Sequence, residues 1–146
     1  MIIRHRSMSS VFLASVLLAL LACLPVAAAD NERLQRLDRE FQAAVANYDS
    51  GRYAQAAAQL EKLLPEAPES FEIHELLGLI YSAQSQDAKA SPHLEKAVLL
   101  KPDSAAARTN LAANLSRLGK PGLAKDEFKK AVELEPRNFD TNHNLG

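Results

Sequence analysis

The chain has 146 residues, 47% of them hydrophobic, with 17 lysines and arginines against 18 aspartates and glutamates and a single cysteine, Cys23. Near-balanced charge without a basic run or an aromatic-basic patch argues against nucleic acid as a partner. One cysteine near the start leaves everything after it without disulfides, cysteine-bound zinc or thiol catalysis, so stability there must come from packing.

The segment 1–29 reads as a signal peptide. Arg4, His5 and Arg6 make a basic start, an apolar run follows from Val11 to Leu21, and no acidic residue precedes Asp30. That run is short against the roughly 20 residues a membrane-spanning helix needs. Pro25 is expected to break any helix there, and Ala27-Ala28-Ala29 offers the small residues of a peptidase site. Cleavage after Ala29 would leave 15 basic and 18 acidic residues, a net charge of −3. Two alternatives stay open: Leu20-Leu21-Ala22-Cys23 resembles a lipobox, which would make Cys23 a lipidation site, or the segment is retained as an anchor. Each route takes the folded part out of the cytoplasm, to a periplasmic or secreted location or to a lipid anchor in the cell envelope.

Beyond Ala29 the dominant signal is a period. Pro68, Pro102 and Pro136 recur at one constant interval, and the same interval separates Ala56, Ala90 and Ala124, and Ser70, Ser104 and Asn138. Leu60-Glu61-Lys62 returns as Leu94-Glu95-Lys96 and, altered, as Phe128-Lys129-Lys130. The units are 37–70, 71–104 and 105–138, preceded by a 30–36 extension of the first helix and followed by the start of a fourth unit at 139–146. Within a unit the apolar residues recur at three- and four-residue spacing, which predicts two helices per unit. Gly51 and Gly119 mark the turns inside units. The recurring prolines end second helices, and Ser70, Ser104 and Asn138 are N-cap residues for the helices that follow.

This pattern resembles the tetratricopeptide repeat. The second unit carries Leu77, Gly78, Tyr81, Ala90, Leu94, Ala97 and Pro102 at the places the family favours, departing at His74. The third carries Leu111, Ala112, Leu115, Ala124, Phe128, Ala131 and Pro136. The resemblance implies an all-α, right-handed α-solenoid of helix-turn-helix repeats.

Three departures carry their own expectations. Phe41, Ala44, Val45 and Tyr48 lie one place late in the first unit, which a shorter turn before Gly51 would explain, and the first helix is expected to begin near Glu32 with Leu34 and Leu37 extending its apolar face. Pro65 predicts an early end or a bend in the unit's second helix. Pro92 predicts a kink or a delayed start in the second helix of unit two. The last residues, Asn144-Leu145-Gly146, correspond to the middle of a helix, so the chain is expected to be a fragment of a longer repeat protein or of one with a further domain.

Candidates for chemistry do not emerge. No two of His5, His74, His93 and His143 stand at the three- or four-residue spacing of a helical metal pair; His74 reads as a packing residue and His93 as a surface one. No phosphate loop, nucleophile elbow or zinc-protease motif appears, and no cofactor or metal is expected. The resemblance implies a binding surface instead, a concave groove lined by the first helices that receives a peptide. Carried over by position, its residues are Glu72, Glu75, Leu79 and Ser82 in unit two, Thr109, Asn110, Ala113 and Arg117 in unit three, and Asn144 in the fourth. Asn110 and Asn144 stand where family members often use asparagine to bond a ligand's backbone. Chaperone-tail receptors of the family hold a terminal carboxylate with cations, but Phe41, Val45, Leu76 and Ala106 stand at those places here. The expected ligand is therefore an apolar or basic segment, repelled neither by Glu72 nor by Glu75. The function so implied is a protein-interaction scaffold in the bacterial cell envelope and not an enzyme, with self-assembly, a spacer role or an accessory domain of a longer exported enzyme as alternatives.

Overall fold

In the computed structural model the backbone is described from residue 9 to residue 135 and the side chains from residue 29 onward. Six helices follow in order: α1 (Ser9–Asp49), α2 (Tyr53–Leu63), α3 (Phe71–Ala83), α4 (Asp87–Leu100), α5 (Ala105–Arg117) and α6 (Pro121–Leu134), with no strand among the described residues. The chain divides into two compact units, residues 1–39 and 40–146. Arg4, His5, Arg6, Pro136, Asn138, His143 and Asn144 lie outside the described residues, as does the start of the fourth unit.

The first unit contains the N-terminal stretch of α1. Its helix passes through Pro25 instead of breaking there, and it extends far ahead of the start expected near Glu32. A proline inside a helix removes one backbone hydrogen bond at a cost of about 3 kcal/mol, which a long helix can absorb without ending. Leu34 is 65% exposed and Leu37 half-buried, so Leu34 does not extend a buried face as expected.

In the second unit, α3 with α4 and α5 with α6 form packed hairpins, α2 packs on α3, α4 on α5, and α3 also touches α5. Second helices begin at Tyr53, Asp87 and Pro121, and first helices end at Asp49, Ala83 and Arg117, each set advancing by the length of one repeat. The turns inside all three hairpins are therefore equal in length. Their hydrogen bonds repeat as well: the Gly51 and Arg52 amides donate to Tyr48 and Asn47 carbonyls at 2.9 and 2.8 Å, Ser85 and Gln86 to Ser82 and Tyr81 at 3.0 and 2.8 Å, and Gly119 and Lys120 to Ser116 and Leu115 at 3.0 and 2.9 Å.

The shorter turn expected before Gly51 is thus not there; what shifts is the side-chain pattern. Ala44, fully buried, sits in register with Gly78 and Ala112. Asn47 takes the place of Tyr81 and Leu115, donating to Gln59 Oε1 at 2.7 Å and accepting from Arg52 Nε at 2.7 Å. A polar pair does there what an apolar filler does elsewhere, and the displaced aromatic, Tyr48, meets Tyr53 with ring centroids 5.5 Å apart.

The prolines act as local chemistry dictates. α2 ends at Leu63 after 11 residues, ahead of Pro65, where α4 and α6 run for 14. α4 starts at Asp87 in step with its counterparts, so Pro92 does not delay it. The carbonyl left without an amide belongs to Ala88, an exposed residue where water can replace the missing donor. Ser70 accepts from the Ile73 amide at 3.3 Å and Ser104 from the Ala107 amide at 3.2 Å, capping α3 and α5 as expected.

One turn residue departs from the glycine pattern. Gly51 and Gly119 have φ of +70° and +71°, and between them, at the same place in the repeat, Ser85 has φ of +57°. A side chain in this left-handed region costs about 1 kcal/mol that glycine does not incur. Ser85→Gly is accordingly expected to raise stability by about 1 kcal/mol, read as a higher urea midpoint; an unchanged or lower midpoint would refute it.

Candidate functional site

The residues expected to line a groove fall on two touching first helices. Along α3, Glu75, Leu79 and Ser82 are half-buried at four- and three-residue spacing, which places them on one face of that helix. Along α5, Thr109, Asn110 and Ala113 are half-buried, with Arg117 exposed one turn later.

Their polar groups are not equally free. Glu72, in the first turn of α3, accepts from Lys101 Nζ at 3.0 Å and from Ser70 Oγ at 3.2 Å. Its own backbone amide, followed by Lys101, holds its carboxyl below the usual range. Lys101 in turn lies over the Phe71 ring, 4.1 Å from its centroid, so this cation is already engaged. Glu75 is pushed the other way: burial raises its pKa, with Lys101 opposing and Glu72 adding to the rise. Thr109 Oγ1 turns back to the Ala105 carbonyl at 2.9 Å. Arg117 is drawn off to the start of α4, where its Nε meets Asp87 Oδ1 at 2.7 Å. The Asn110 amide makes no hydrogen bond among the described residues, which leaves a donor and an acceptor on a half-buried side chain.

Two clusters escape sequence reasoning because they join residues far apart along the chain. The first is at the start of α4. Asn114, fully buried in α5, donates from Nδ2 to the Asp87 carbonyl at 3.0 Å and to its Oδ1 at 3.1 Å, beside Arg117, while Asn114 Oδ1 has no partner. The second is inside the α3–α4 hairpin. His93, expected on the surface, is half-buried with Nδ1 only 3.1 Å from His74 Nδ1 and its ring stacked at 5.8 Å on Tyr81. His74 is buried as expected, and its Nε2 lies 3.0 Å from the Pro68 carbonyl. The Tyr81 hydroxyl donates to Glu61, and burial followed by that bond pushes its pKa up to about 12. Superimposing the repeat on itself supplies the one available signal: positions 74 and 93 of unit two correspond to Arg108 and Glu127 of unit three. Among the described residues no group of three or more ligating side chains could hold a metal.

A shallow cleft of about 450 Å³ beside the first turn is lined by Gly51, Arg52, Tyr53, Ala54, Gln55 and Gln84. Its one cation, Arg52, is bonded to Asn47.

Comparison with known proteins fits the helical repeat. The tetratricopeptide repeat family matches residues 71–104 and 105–138. No curated protein sequence matches the chain. Among solved structures, the first tetratricopeptide repeat domain of Spaghetti (RPAP3), bound to an HSP90 peptide, aligns with a TM-score of 0.72 at 22% identity, covering 76% of this chain and 88% of that one. MamA from AMB-1 aligns at 0.69 and 27% identity over 75% of this chain and 60% of its own, so the chain spans about three fifths of that protein. The Yersinia enterocolitica type III secretion translocator chaperone SycD aligns at 0.68 and 19% identity, covering 75% and 88%. Helix order, turn geometry, the capping serines and the family match agree: the chain carries tetratricopeptide repeats over residues 71–138.

Proposed function

We propose that this protein is a non-catalytic interaction scaffold that holds a peptide segment of a protein partner against the α3–α5 face. The observation that carries the reading is Asn110, whose half-buried amide is unspent and suits a ligand backbone whatever its side chains. Leu79 supplies apolar surface, with Ser82 and Ala113 giving a close approach, and rigid stacked helices need little reordering on binding. The domain of Spaghetti binds an HSP90 peptide whose sequence, SRMEEVD, is acidic. Here Glu72 already occupies Lys101, and Glu75 would meet an acidic tail unfavourably, so the segment is apolar or basic. The same reasoning assigns Glu72 and Arg117 to holding the scaffold. We place the protein in a bacterial periplasm or outside the cell on its leader-like start, with Cys23 as the alternative lipid-anchored site.

The test is capture of partners from cell-envelope extracts with tagged protein lacking the segment 1–29, quantified by mass spectrometry. A partner retained by wild type should fall at least about tenfold with both Leu79→Glu and Asn110→Ala, a loss of about 1.4 kcal/mol or more each. Partners that survive both changes would remove the α3–α5 face from consideration.

A further inference from the structure

The hairpins of the second and third units are pinned at the same pair of places by different chemistry. In the third unit, Arg108 of α5 donates from Nε to the Pro102 carbonyl at 2.8 Å and pairs with Glu127 of α6 at 2.7 Å. In the second, His74 of α3 meets the Pro68 carbonyl at 3.0 Å and His93 of α4 at 3.1 Å. We propose that the His74–His93 pair is an acid-released latch, closed while it carries at most one positive charge and opened when both rings are protonated.

The geometry sets the proton inventory. A carbonyl oxygen can only accept, so His74 Nε2 must carry hydrogen. In the neutral ring that leaves a lone pair on His74 Nδ1, to which His93 Nδ1–H donates. One proton can be added and the bond survives: it goes to His93 Nε2, or it goes to His74 Nδ1 while His93 shifts its hydrogen to Nε2. Adding two places an N–H on both facing nitrogens, 3.1 Å apart, and two imidazolium charges beside each other. The latch then repels.

The surroundings allow for one charge and not two. From α2, Glu61 faces the pair and attracts a proton to His93, but it also receives the Tyr81 hydroxyl. From α3 comes Tyr81, stacked on His93 and uncharged. From α4, Lys89 sits 5.5 Å from the Tyr81 ring centroid and Lys96 pairs with Glu69, next to Pro68, at 2.8 Å. From α5, packed against the same hairpin, Arg108 and Arg117 are engaged with Glu127 and Asp87. Burial, then the neighbouring His74, lowers the pKa of His93 from its ordinary 6.5 by more than Glu61 raises it. A histidine with a lowered folded pKa takes up protons preferentially when unfolded. Its contribution to stability is whole above 6.5 and is lost as pH falls through the lowered value. The Arg108–Glu127 pin has no such loss above pH 4.5, because the Glu127 pKa is held below that value.

Hydrogen exchange followed by mass spectrometry on the whole chain between pH 7.5 and 5, corrected for intrinsic rates, tests the latch. Protection of α3 and α4 should drop relative to α5 and α6 by about tenfold per pH unit for each extra proton the open form binds. Equal loss in both hairpins would overturn the proposal. His74→Arg with His93→Glu, which copies the third unit's pin, should flatten the response, and a variant that folds yet keeps the wild-type acid response would overturn it too. If that variant does not fold, ring titration of the wild type by NMR decides. Two steps separated by more than about one pH unit support a shared proton, whereas two independent titrations at one ordinary value would end the idea.

Discussion

Gly78→Ala is expected to lower stability by about 2 kcal/mol, although alanine is the better helix former by about 1 kcal/mol. The added Cβ would lie 2.5 Å from Leu94 Cδ2 and 2.6 Å from its Cγ, with the Leu94 backbone nitrogen at 3.4 Å. Leu94 is 1% exposed, so its side chain has no open space to retreat into, and its backbone belongs to α4. The clash therefore has to be relieved by separating α3 from α4. In the third unit the corresponding places hold Ala112 and Phe128, so the close approach is solved there by a different pair. Gly78→Ala combined with Leu94→Phe should recover part of the loss, since neighbours in contact are not additive. Urea midpoints of the two single variants and the double read this directly. A Gly78→Ala protein as stable as wild type would mean the hairpin is looser than described.

Glu127→Ala is expected to cost about 2–3 kcal/mol, somewhat less than the roughly 3–5 kcal/mol typical when one partner of a fully buried ion pair is removed. Arg108 and Glu127 side chains are 14% and 15% exposed and meet at 2.7 Å. Without the carboxylate, the guanidinium keeps only its Nε bond to the Pro102 carbonyl and stays sheltered from water. Arg108→Ala should cost less, because Glu127 retains Lys130 at 2.6 Å, a residue half in solvent. Burial by itself would raise the Glu127 pKa, but hydrogen bonds from Lys130 and Arg108 outweigh it and hold the carboxyl below its ordinary 4.5. With a lowered folded pKa, the contribution is present above 4.5 and lost as pH falls through the folded value. Unfolding of wild type and both variants at pH 7 gives the ordering. A Glu127→Ala protein within about 0.5 kcal/mol of wild type would show that the pair is a surface contact.

The repeat frame is readable because each of its parts is local. A proline, a serine cap two places on and small residues at a fixed spacing act within a turn or two of helix, and Pro102, Ser70, Gly78 and Ala90 do what their chemistry suggests. Misreadings arise where side chains substitute for one another across the hairpin. Asn47 and Gln59 are twelve residues apart, and nothing in either neighbourhood says that an amide pair replaces a tyrosine. His74 and His93, 19 residues apart, look unrelated when spacing along one helix is the criterion, while the turn folds the two helices face to face. Pro92 looks disruptive when a missing amide is counted without asking whether its carbonyl faces water. The candidate face divides the same way: the positions of Leu79 and Asn110 follow from the repeat, whereas the withdrawal of Arg117 to Asp87 depends on a contact 30 residues away.

Equal turns and second-helix starts that keep one constant interval also say how such a chain can change over time. One residue inserted within a helix would rotate everything beyond it by about 100° and carry a buried side chain such as Leu77 around to the water. A whole unit gained or lost preserves the phase of every remaining helix. Insertions and deletions should therefore survive in multiples of the repeat, while single positions drift by substitution, as the swap between a histidine pair and an arginine–glutamate pair shows.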